Sequence, residues 1–148
     1  MIREATFNDI PVLVELGGKM HAESPYWSRW KFSPQRLEAT LRMAIEADHG
    51  MCAVAEDDGQ IVGGVAAVAM PHWSCEMLQA CDLALFIDPL HRGGLSAVRL
   101  VKAYLHWCDH IGAVPVMGVT TGVDMHRTER LFGALGAQQT GSIWTWRI

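Results

Sequence analysis

The chain has 148 residues, half of them hydrophobic, and a net charge of −4 at neutral pH. That is enough apolar material for one well-buried core, and the lysines and arginines are scattered singly, with no basic stripe to neutralise a phosphate backbone, so nucleic acid is excluded as a partner. No apolar run nears the roughly 20 residues needed to cross a bilayer and MIREATFNDI lacks a signal-peptide core, so the reading is a cytoplasmic chain with no membrane partner, one domain over residues 1–148.

In chain order, residues 2–6 suit a short strand. Thr6 with Asp9 three positions on is a capping box opening a helix through Leu13 and Leu16 to about Met20. HAESPYWSRWKF breaks the periodicity, after which Ser33-Pro34 caps a second helix with Leu37, Leu41, Ala44 and Ile45 on one face. Two apolar runs around Asp57, Asp58 and Gly59 predict a hairpin, with Gly63 and Gly64 marking a bulge or thin packing in its second strand. The run CDLALFI, residues 81–87, is apolar enough for a central strand covered on both faces. A third helix carries Val98, Val101, Leu105 and Cys108 at helical spacing and closes at Gly112. VPVMGVTT then reads as a strand, RTERLFGAL as a short helix ended by Gly136, and SIWTWRI as a last strand with Trp144 and Trp146 on one face. The order β-α-α-β-β-β-α-β-α-β defines an α/β domain with a mixed sheet flanked by helices.

Chemistry concentrates in FIDPLHRGGLSAVRLV, residues 86–101, where a strand bends through proline, arginine and two glycines into a helix. Unpaired backbone N–H groups and the positive end of a helix dipole meet there, which suits an anion. Gly93 and Gly94 allow close approach and Arg92 adds a planar donor fork, so a pyrophosphate is the natural guest. Neither the P-loop pattern nor the dinucleotide fingerprint is present. On these residues alone, RGG read as a plain tight turn is an equal alternative.

The stretch IDPLHRGGLSAVRL, with DLALFI before it, IREAT and Asp9 near the start, VAEDDGQIVGGVAA as the hairpin and RLFGALGA near the end, resembles the GNAT superfamily of N-acetyltransferases. Pro89, Arg92, Gly93 and Ala97 match the superfamily's acyl-coenzyme A loop in register. The resemblance implies a GNAT-like fold and transfer of an acetyl group from acetyl-CoA to a primary amine by direct attack in a ternary complex. Phosphates would rest on Arg92, Gly93, Gly94, Leu95, Ser96 and Ala97, and the pantetheine arm against the amides near Phe86 and Ile87, between parallel strands at 82–87 and 115–120. Asp82 stands where the superfamily has its general base. Two departures are visible: Leu95 replaces the loop's second glycine, and Phe132 replaces a tyrosine that protonates the leaving thiolate, a role then left to water, Tyr104 or Tyr26. Glu23, Tyr26 and Trp27 are the candidate acceptor-binding residues, by charge and ring contacts.

A rival class is a noncatalytic acyl-CoA-binding module, a sensor or structural element, which Leu95 and Phe132 keep open. H-x-C-D-H at 106–110 places two histidines on one helix face but has no third ligand at a convincing spacing, so no metal is expected. The four cysteines form no C-x-x-C pair and read as free thiols. The apolar last strand would suit a homodimer that covers a sheet edge.

Overall fold

A computed structural model describes residues 1–146. Five strands form one sheet in sequential order: β1 (Ile2–Glu4), β2 (Gly50–Asp57), β3 (Gln60–Pro71), β4 (Leu78–Ile87) and β5 (Val114–Val116). The first four are antiparallel and β5 runs parallel to β4, giving a mixed sheet. Helices α1 (Ile10–Glu23), α2 (Pro34–Glu46), α3 (Ser96–Ile111) and α4 (Met125–Ala134) complete the fold.

Residues 52–55 are all buried because β2 is covered on both sides. Cys52 and Val54 pack with Leu13 of α1 and Leu41 of α2, whereas Ala53 and Ala55 pack with Leu100 of α3. The hairpin turn has Asp58 and Gly59 both at positive φ, as a two-residue turn matching strand twist requires. A bulge falls at Val62, beside the two glycines: Ala55 faces Gly63 and Glu56 faces Ile61. A methyl group on Gly63 would lie 2.5 Å from the carbonyl oxygen of Phe86, so the thin packing lets β3 and β4 close up.

Two expected strands differ. The one expected over VPVMGVTT is paired only at Val114–Val116, facing Gln79, Ala80 and Cys81, and the chain then leaves the sheet. Residues 142–146, expected as a final strand, carry no strand, and Ile143, Trp144 and Trp146 are exposed; residues 147 and 148 lie outside the described residues. A strand exists only where its N–H and C=O groups meet a partner edge, and alternating apolar residues do not supply one.

The N-terminal capping box forms: Asp9 accepts from the backbone N–H of Thr6 at 2.7 Å and from its hydroxyl at 3.0 Å. Arg3 adds a two-pronged pair to Asp9 at 2.8 and 2.9 Å, and its Nε donates to Glu56. This clasp joins β1, β2 and the start of α1, and the Arg3 guanidinium holds the Asp9 carboxyl well below the usual carboxylate range. A depressed folded-state pKa contributes stability above the unfolded value of about 3.9 and loses it as pH falls below. The melting temperature should therefore drop on acidification below about pH 4, and Asp9→Asn should flatten that slope, as differential scanning fluorimetry across pH would show.

Candidate active site

The parting of β4 and β5 creates the site. Their ladder ends at Cys81 facing Val116; one residue further, the Asp82 carboxylate accepts the backbone N–H of Gly118 at 2.8 Å. Tyr104 of α3 fills the branch point. Its side chain is fully buried, its hydroxyl accepts from the Val116 N–H at 3.1 Å and lies 3.0 Å from the Ala80 carbonyl and 2.9 Å from that of Val116. Burial raises the Tyr104 pKa, and with its hydroxyl committed between strands it is no proton donor to the cleft.

Beyond the branch point lies a cleft of about 290 Å³, near the lower limit of ordinary ligand sites. One wall is β4 from Asp82 to Ile87, the floor is 118–121, and α4 contributes Arg127, Thr128, Leu131 and Phe132. Met20 and Glu23 of α1 and Trp27 close one end. β4 carries a bulge at Leu83, since Ala66 faces Ala84 while Ala67 faces Asp82. The Asp88 N–H bonds to Val62 on the β3 side, so alternation turns the N–H and C=O of Leu85 and Ile87 toward the open cleft. The backbone groups available to a ligand are thus one residue out of step with Phe86, whose carbonyl faces β3.

The bend is anchored from below. Asp88 accepts from the Leu90 N–H at 3.0 Å and from Lys19 of α1 at 2.7 Å, and this pair holds the Asp88 carboxyl below its ordinary range. Gly93 has φ 106°, a conformation that favours glycine. Leu95 is the N-cap of α3; its side chain offers no capping bond and is 60% exposed. Arg92, Gly94 and Ala97 line the cleft, and Gly93, Leu95 and Ser96 do not.

Arg92 does not stand free at the bend. Its Nη2 donates to Glu23 Oε1 at 2.5 Å, its Nε donates to the Ile87 carbonyl at 3.0 Å, and its guanidinium lies 5.2 Å from the Phe86 ring centre. Arg127 of α4 also reaches the Gly93 turn: its Nη2 lies 3.8 Å from where a Cβ on Gly93 would be. Arg127 was not singled out from sequence, although 124, 127, 128 and 131 form one helix face that periodicity could have exposed.

Asp82 is half-buried, and burial raises its carboxyl above the ordinary range, with the Gly118 N–H acting as a smaller opposing influence. Glu23 and Trp27 face the cleft, whereas Tyr26 is exposed outside it, against Gly122. The arm carrying them is tied to the floor by Ser24, fully buried, whose hydroxyl donates to the Thr121 carbonyl at 2.7 Å and accepts from the Trp27 N–H at 3.1 Å. Among the described residues no three His, Cys, Asp or Glu side chains cluster as a metal site, and no helix is long and apolar enough to cross a membrane.

Residues 19–137 match the Acetyltransferase (GNAT) family, and the chain belongs to it. No curated protein matches it. Among solved structures, a ribosomal-protein-alanine N-acetyltransferase from Brucella melitensis biovar Abortus superposes with a TM-score of 0.75 at 15% identity, covering 100% of this chain and 98% of that one. AAC(6')-Iy in complex with the bisubstrate analogue CoA-S-monomethyl-acetylneamine gives 0.76 at 19%, covering 100% and 97%. A transcriptional regulator from Bacillus halodurans gives 0.78 at 18%, covering 100% and 99%. At these identities the likeness is one of fold.

Proposed function

We propose that the chain transfers the acetyl group of acetyl-CoA to a primary amine within a ternary complex. One observation carries the proposal: past the Tyr104 branch point, β4 turns the backbone groups of Leu85 and the N–H of Ile87 toward a cleft that runs from the N-terminus of α3 to a half-buried carboxylate. The amides of α3 with Gly94 and Arg127 suit the donor's phosphates, and β4 suits its amide-bearing arm by strand-like pairing. An N–H of β4 aimed at the thioester oxygen stabilises the charge that develops there.

The amine nitrogen attacks the thioester carbon; the N–C bond forms, the C–S bond breaks and the sulfur leaves as thiolate. Asp82 takes the ammonium proton, directly or through water, and its raised pKa makes it a better base than a surface aspartate. Phe132 lies on the cleft wall and gives no proton. With Tyr104 buried and Tyr26 outside, water protonates the thiolate, a modest demand for a thiol of pKa near 8.5. A chain of this fold that binds acyl-CoA without turnover is the second reading, favoured by Phe132.

Calorimetry with acetyl-CoA, followed by an assay of amine-dependent thiol release, tests both. Micromolar binding, roughly −8 kcal/mol, with release supports the transferase; binding without release across a broad amine panel supports the sensor; no binding removes both.

A further inference from the structure

We propose that Glu23 is the subsite for a positively charged group on the acceptor, distinct from the amine that is acetylated, and that Arg92 occupies this subsite until the donor arrives. The proposal rests on the acetyl-transfer reading and adds the acceptor's class: a molecule with at least two basic groups.

Arg92 sits in the surroundings that a bound ammonium or guanidinium would seek: a carboxylate at 2.5 Å, a carbonyl at 3.0 Å and an aromatic ring at 5.2 Å. Carboxylate, carbonyl and ring are the recurring parts of cation recognition. Here the chain fills them with its own side chain, reaching across 69 positions of sequence from the bend to the end of α1. Both ends of the pair are about a quarter exposed, so solvent and an incoming ligand reach them. Glu23 shares one cleft with Asp82 and with Trp27, whose ring adds a second apolar face.

The donor would loosen two of the three anchors of Arg92. The Ile87 carbonyl is a strand group turned to the cleft, and the phosphates would compete with Glu23 for the guanidinium. Once Arg92 is drawn to the phosphates, Glu23 is an uncompensated, half-buried carboxylate facing the cleft, and an unpaired charge there is unfavourable unless a cation replaces the lost one. Asp82 lies elsewhere in the same cleft and must receive a neutral amine after taking its proton. One carboxylate to hold a cation and another to deprotonate an amine call for an acceptor carrying both groups.

The test uses free CoA, which has no acetyl group to transfer, and 1,4-diaminobutane as the cationic probe, with affinities measured by calorimetry. Glu23→Gln releases Arg92 without changing side-chain size and should tighten CoA binding at least threefold while weakening the diamine at least tenfold in the presence of CoA. In the unmodified protein, saturating CoA should tighten the diamine at least fivefold. Arg92→Ala should bind the diamine without CoA as tightly as the unmodified protein does with it. Thermal melting establishes that both variants fold, and Glu23→Ala serves in place of Glu23→Gln if that variant does not. Unchanged CoA affinity in Glu23→Gln, or diamine binding indifferent to both substitutions, overturns the proposal. Failure of the unmodified protein to bind CoA overturns the acetyl-transfer reading itself and the subsite with it.

Discussion

Asp82→Asn is expected to lower kcat/KM by about a hundredfold or more, the range for lost general-base help, without lowering the melting temperature. Asparagine keeps the shape and its Oδ1 can still accept the Gly118 N–H, so the branch point stays intact. What disappears is the proton acceptor. The stability arm has a definite sign. Burial raises the folded-state pKa of Asp82, so its contribution is present below the unfolded value near 3.9 and is lost as pH rises through the raised one. Asparagine escapes that loss, and its melting temperature relative to the unmodified protein should rise between acid and neutral pH. The rate of the unmodified protein should show an acid limb above pH 3.9 that is missing from the variant. An unchanged rate discards the base role.

Tyr104→Phe is the second large effect. The ring stays, but the Val116 N–H and the carbonyls of Ala80 and Val116 lose their shared hydroxyl in a dry site. Leaving such groups unpaired costs about 1–3 kcal/mol. The consequence reaches the chemistry, because the same hydroxyl defines where β4 and β5 separate and hence where Gly118 meets Asp82. Chemical denaturation should report the stability loss, and the acid limb of kcat/KM should move as the Asp82 surroundings relax. A variant that melts earlier with an unaltered pH profile would reduce Tyr104 to a packing residue.

What the sequence discloses follows from how local each signal is. The capping box at Thr6 and Asp9, the Ser33-Pro34 cap and the stop at Gly112 are contacts within four residues, and all three appear in the structure. The bend at 88–95 was visible for the same reason. The pairing of Arg92 with Glu23 and of Lys19 with Asp88 joins residues 69 apart, which no periodicity reports. Arg92 therefore reads as a phosphate ligand, with no sign of its contact with Glu23 of α1. The same limit shortened β5: VPVMGVTT has strand composition throughout, but where it leaves β4 is decided by a tyrosine on the preceding helix. The contribution of α4 was overlooked because its only conspicuous residue, Phe132, drew notice for the hydroxyl it lacks.

The bulge at Leu83 has a consequence for which changes of length the chain can tolerate. Ahead of it, Ala80 packs with Tyr104 and Cys108 on the α3 side; past it, the even-numbered Ala84 and Phe86 pack with Leu16 and Met20 of α1, while Leu85 and Ile87 take over the α3 side. One inserted residue has reversed which face every later side chain occupies. Loss of a single codon here would restore simple alternation while leaving Asp82 opposite Ala67 and Ala84 opposite Ala66, so Phe86 would keep the α1 side and Ile87 the α3 side. A substitution at Leu83, on an exposed position, would be mild, and a deletion at the same place would remove the local kink and added twist of the bulge while keeping Ala84 to Ile87 in register with β3.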